Sequence, residues 1–149
     1  MSATRPTIYL HVGAPKTGTT YLQDVLGQNR RQLARAGVAF PGSGPLEHYH
    51  AALDLRGIRF GGYDDPAVPG AWEKLSSKAL DAKSDRVVIS HEVLAGATQD
   101  EIERVEANLA GHDLHVIYGA RDLARQLPAV WQESLKNRQT RTYEVFLRG

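Results

Sequence analysis

The chain has 149 residues, 42% hydrophobic and 23% charged, enough for one domain spanning 1–149 with its own core and short for two. A formal net charge of +1 without a long Lys/Arg block gives nucleic-acid binding no compositional support, and zero cysteines exclude a disulfide framework or a thiolate metal site. No stretch approaches the roughly 18–20 apolar residues of a membrane span, and the N-terminal MSATRPTIYLHVG lacks a signal-peptide layout, so a cytoplasmic protein is expected.

In chain order, Thr7 to Val12 reads as a short strand and Gly13 to Gly18 as a loop. From Thr19 the spacing of Tyr21, Leu22, Val25, Leu26 and Leu33 predicts a helix ending near Gly37. Val38 to Phe40 is a second strand, stopped by Pro41-Gly42, and a helix is expected around His48–Leu55. The Gly- and Pro-rich stretch 57–70 has no periodicity and reads as a long loop of the functional kind. A helix over Ala71–Ala82 precedes a strand, Arg86–Ser90; a helix over Gln99–Leu109, acidic in its first turn, precedes a strand, Leu114–Tyr118. Asp122–Asn137 is a helix bent at Pro128, and the tail TYEVFLRG opens another at a Thr142 cap, so the chain looks incomplete at its C-terminus. This alternation predicts an α/β fold with a mostly parallel sheet flanked by helices.

The segment Gly13-Ala14-Pro15-Lys16-Thr17-Gly18-Thr19-Thr20 invites comparison with the Walker pattern G-x-x-x-x-G-K-[ST]. Both glycines and the hydroxyl residue (Thr20) are in place, but Thr19 stands where the lysine belongs and the lysine sits inside the loop as Lys16. Such a loop still wraps an anion with backbone N–H groups at a helix N-terminus, with the cation supplied from the loop's middle. No acidic residue closes RVVIS or LHVIY, which weighs against a magnesium-dependent P-loop kinase.

The string PKTGTTYLQ (residues 15–23) resembles the 5′-phosphosulfate-binding loop of the PAPS-dependent sulfotransferases, whose pattern is close to P-K-[ST]-G-T-[ST]. PAPS is 3′-phosphoadenosine 5′-phosphosulfate. The resemblance implies a three-layer P-loop-like fold and sulfuryl transfer from PAPS to a hydroxyl or amine, leaving PAP, the 3′,5′-bisphosphate, without a metal. It implies that Pro15, Lys16, Thr17, Gly18, Thr19 and Thr20 hold the phosphosulfate, Lys16 stabilising the departing phosphate.

Ser90-His91-Glu92, at the end of the Arg86–Ser90 strand, matches the family's second site, where a general base sits. His91 matches cytosolic members and Glu92 the carbohydrate-modifying ones, and both stay open. The segment LHVIYGARDLARQLPAVWQ matches the 3′-phosphate motif imperfectly: Tyr118 takes the Arg position and Gln126 the Ser position, with Arg121 and Arg125 able to restore the charge. These two belong to a local basic cluster with Lys136, Arg138 and Arg141, readable also as a solvated helix face.

Trp131 and Leu135, with Leu127 before them, read as core. His48 and His50 read as polar surface, an acceptor pocket being the alternative. The expected partner is a small-molecule or carbohydrate acceptor bound by loops such as 57–70, with self-association as one way to complete the site. Full sulfotransferase domains are longer, with a further Gly-rich basic segment absent before Gly149. The competing readings are therefore a catalytically inactive PAP/PAPS-binding remnant and a P-loop kinase.

Overall fold

Each short apolar run expected to be extended enters a single parallel sheet. A computed structural model describes residues 5–59, 62–136 and 138–148; residues 60 and 61 of the expected 57–70 loop and residue 137 of the expected 122–137 helix lie outside the described residues. The strands are β1 (Thr7–His11), β2 (Val38–Ala39), β3 (Arg86–Ser90) and β4 (Asp113–Ile117), in the order β2-β3-β1-β4. β1 lies in register with both neighbours, so that His11 stands beside Ser90 of β3 and Ile117 of β4.

Parallel neighbours need crossovers, and helices supply them. α1 (Thr19–Gln28) and α2 (Arg30–Arg35) join β1 to β2, and α3 (Glu47–Arg56) and α4 (Ala71–Leu80) join β2 to β3. A 3-10 segment (Glu92–Gly96) and α5 (Gln99–Asn108) lead to β4, followed by α6 (Leu123–Lys136) and α7 (Tyr143–Leu147). α5 starts at a capping box between Thr98 and Glu101, which satisfies amide groups the first turn leaves open.

Side-chain alternation divides the strands. Ile8, Leu10, Val87 and Ile89 point to one face, where they form the core with Ala51, Leu55, Trp72, Leu75, Val105 and Leu109. Trp72 is fully buried, and its Nε1 donates to Asn108 Oδ1 at 2.9 Å. Asp54 accepts the Gly70 and Trp72 amides and so does the work of an N-cap for α4. His11 and Ser90 have the opposite parity and point to the other face, where Gln23 of α1 reaches Ser90. Right-handed crossovers require this division, because the β1-to-β2 connection runs across the sheet against the other two. The segments after β1 and β3 thus leave to opposite faces, which opens a crevice at the carboxyl ends of these adjacent strands.

Two expectations are corrected here, and one element was not anticipated. The helix expected from Thr19 to near Gly37 is broken at Asn29, whose side-chain amide donates to the Val25 carbonyl at 2.8 Å and competes with the helical ladder. The 3-10 segment had no periodic signal. Leu127, Trp131 and Leu135 are not core: no α6 residue is buried, and Leu127 and Leu135 are exposed. Trp131 instead meets Tyr143 at 5.3 Å between ring centroids and donates to the Arg141 carbonyl at 2.8 Å, a small satellite cluster tying α7 to α6. Pro128 lies inside α6 without ending it. Val116, Ile117 and Tyr118, on and just after the edge strand β4, are exposed. Among the described residues, no helix is long and apolar enough to cross a membrane.

Candidate functional site: an amide-lined loop beside a strand-end carboxylate

The loop after β1 is bent by three positive-φ residues: Gly13 (45°), Lys16 (67°) and Gly18 (93°). Gly13 has a packing reason as well, because a Cβ there would collide with the Thr19 methyl. The Ala14 amide donates to the Gly119 carbonyl at 3.1 Å and Thr17 Oγ1 to the Ala14 carbonyl at 2.6 Å, closing the turn on itself. Beyond it, the amides from Lys16 to Tyr21 donate to no described residue; Leu22 is the first to find an acceptor, the Gly18 carbonyl at 3.1 Å. Six successive N–H groups thus stand open at a helix N-terminus, where partial positive charge accumulates.

The segment 121–133 is laid across this loop. Arg121 donates to the Lys16 carbonyl at 3.2 Å and Gln126 to the Pro15 carbonyl at 3.1 Å. The Lys16 ammonium lies 2.8 Å from Glu133 Oε2, and that same oxygen is 3.4 Å from Lys136. Hydrogen bonding to Lys16, together with the Lys16 and Lys136 charges, holds the Glu133 carboxyl below the usual range. Arg125 is exposed on α6, and no hydrogen bond or ion pair joins its side chain to the loop among the described residues.

At the end of β3, Ser90 is completely buried and Oγ bonds His11 Nδ1 at 2.8 Å. Gln23 Nε2 donates to both Ser90 Oγ and Glu92 Oε2 at 3.4 Å. The Val93 amide donates to His91 Nδ1 at 3.2 Å, so neutral His91 carries its proton on Nε2. Burial lowers the pKa of His91, with the Glu92 charge opposing, and burial lowers that of His11 likewise.

His48 is not surface but buried. Its Nε2 donates to the Pro41 carbonyl at 2.8 Å, its Nδ1 accepts the Ser90 amide at 3.2 Å, and its ring stacks on Phe40 at 4.3 Å. Burial, only partly offset by the Pro41 bond, brings its pKa down from 6.5 to about 4. His50, two residues on and so on another side of α3, faces Asp65 Oδ2 at 3.3 Å.

A cavity of about 610 Å³ spans the loop and the strand end, with Lys16, Thr20, His91, Glu92, Arg121 and Glu133 in its wall. A second, of about 530 Å³, shares Thr20, Tyr49, His91 and Glu92 and extends toward Gln23 and Arg30. A larger one, about 720 Å³, lies at the 57–70 loop and meets the other two only at Tyr49. Volume alone would choose that one; convergent donors and titratable groups favour the pair around Thr20 and Glu92.

The structure therefore gathers Pro15, Lys16, Gly18, Thr19, Thr20, His91, Glu92 and Arg121 in one cavity wall, with Thr17 in the same loop and Gln126 bonded to it, and leaves Arg125 outside the wall. His11, Gln23, His48 and Glu133 were not singled out as site residues from the sequence. His11 had a readable signal, being a polar residue ending a buried strand as Ser90 does; Glu133 had none, because only tertiary packing brings α6 to the loop. Among the described residues no group of three or more His, Cys, Asp or Glu is placed to hold a metal ion. Comparisons with protein-family models, with curated proteins and with solved structures found no match to this chain.

Proposed function

We propose that the chain carries the donor-binding cradle of a PAPS-dependent sulfotransferase, moving a sulfuryl group to a hydroxyl or amine of a small-molecule or carbohydrate acceptor. One observation supports this above the others: Lys16, Gly18, Thr19 and Thr20, whose amides are open, line the same cavity as Glu92. In this reading Thr17, Gly18, Thr19 and Thr20 offer N–H and hydroxyl donors to the 5′-phosphate, and Lys16 neutralises the charge that develops as the bridging O–S bond breaks. Arg121 and Gln126 hold the loop in shape through its carbonyls, and Arg121 supplies positive charge for the 3′-phosphate.

The same reading prefers Glu92 to His91 as the base that takes the acceptor proton. Neutral His91 has its Nδ1 lone pair engaged by Val93 and a proton on Nε2, so it offers a donor where a base needs a free lone pair. Glu92, with Gln23 beside one oxygen, retains acceptor capacity. The acceptor would enter through the adjoining cavity of about 530 Å³, whose wall includes Glu92.

The test is calorimetric titration of the chain with PAP, with ATP–Mg²⁺ as the control and Lys16→Ala as the variant. Micromolar PAP binding that weakens in the variant and is not matched by ATP supports the reading. Preferential ATP binding would replace it with kinase chemistry. The ion pair that engages Lys16 favours one second reading, a PAP- or PAPS-binding protein without turnover. Product-nucleotide binding without sulfuryl transfer to any of an acceptor panel would select it.

A further inference from the structure

The loop lysine has a partner that is itself an anion. Glu133 reaches it from α6 in the wall of the cavity that both side chains line, and the 2.8 Å separation is that of a charge-assisted hydrogen bond. Both side chains are about one-third exposed, at 34% and 38%, so the pair is screened and exchangeable rather than locked in a dry interior. Glu133 also has a second cation within reach, Lys136 at 3.4 Å, and would keep a partner if Lys16 left it. Lys16 has less freedom: its backbone is in the left-handed region, and Arg121 bonds its carbonyl. The exchange therefore involves side chains and not the loop's frame.

We infer that Glu133 is a specificity-determining residue of the cradle, an internal carboxylate that occupies Lys16 until a multiply charged phosphate displaces it. The inference rests on the anion-cradle reading of the loop. A singly charged anion gains little over the carboxylate already in place, whereas a diphosphate-like group brings more charge and uses the open amides as well. Entry of that ligand transfers Lys16 from Glu133 to the anion and leaves Glu133 with Lys136.

The experiment is titration of wild type, Glu133→Gln, Lys16→Ala and the double variant with inorganic pyrophosphate at low salt and neutral pH. Glu133 is on the surface, and circular dichroism and thermal melting verify that each variant is folded. Glu133→Gln is expected to tighten binding about fivefold, the factor corresponding to an exposed ion pair at the upper end of its usual worth. In the Lys16→Ala background the same change should give under about twofold, the non-additivity that marks competition for one side chain. Lys16-dependent binding that Glu133→Gln leaves unchanged overturns the inference and spares the cradle. So does an equal gain with and without Lys16, which is plain charge repulsion. Absence of pyrophosphate binding in all four proteins overturns both.

Discussion

The Val93 amide donates to Nδ1 of His91 at 3.2 Å, and this one bond decides which of two adjacent residues has a lone pair to offer. If sulfuryl transfer is the activity, Glu92→Gln should lower kcat by about 10²-fold or more, the scale of a lost general base. His91→Asn should cost about tenfold or less, as a donor replaced by another. Steady-state kinetics on any accepted acceptor checks this, and a larger loss in the histidine variant would reverse the assignment.

The two outer glycines of the loop are left-handed for different reasons, and substitution separates them. At Gly18 nothing stands within 4 Å of an added Cβ, so Gly18→Ala pays only for a positive φ, about 1–2 kcal/mol. At Gly13 the same Cβ meets the Thr19 methyl, and overpacking adds about 1–3 kcal/mol to the backbone cost. Urea denaturation should therefore rank Gly13→Ala below Gly18→Ala in stability; the reverse order would show that the turn relaxes around the new methyl.

His48 gives the fold an acid-sensitive joint. Its pKa in the folded chain is about 4 against 6.5 when unfolded, so between these values the unfolded chain binds the extra proton. Its contribution is full above pH 6.5 and is lost as pH falls toward 4, about 3 kcal/mol over the whole window. The burial-lowered pKa values of His11 and His91 act in the same direction. Denaturation midpoints followed from pH 7.5 to 4.5 should fall, and His48→Gln should flatten the slope while lowering stability at pH 7.5.

Arg121 and Arg125 sit one turn apart in sequence, but only the first bonds the loop. If PAP is the ligand, Arg121→Ala should weaken its binding about fivefold, the order of one charge-assisted hydrogen bond at an exposed site. Arg125→Ala should stay nearer to twofold. Calorimetry on both variants checks the ranking, and an equal loss would place Arg125 on the nucleotide after all.

The strands and the bent loop after β1 were legible in the sequence because their signals are local. Arg86–Ser90 has the bounds the apolar run predicts, and the Gly-x-x-x-x-Gly spacing anticipates a loop whose flanking glycines are left-handed. What escaped depends on neighbours distant in sequence. His48 looked like surface because its own helix offers no clue that the Pro41 carbonyl and the Ser90 amide converge on it. Leu127 and Leu135 have core spacing yet remain 36% and 39% exposed, since periodicity marks an apolar stripe and not how far it is covered. The α1–α2 break depends on a side-chain-to-backbone bond at Asn29 that competes with a pattern otherwise continuous.

Among the described residues β4 bounds the sheet, pairing with β1 on one side only, and Val116 and Ile117 on it are 68% and 44% exposed. A flank of unsatisfied peptide groups beside apolar side chains is a template for more strands, so concentrated solutions of this chain should drift toward aggregates built edge to edge. A single charge on that rim, Val116→Lys, is the inexpensive remedy. Val116 does not line the cavity beside Thr20 and Glu92, and the change should keep light scattering low where the parent chain turns cloudy.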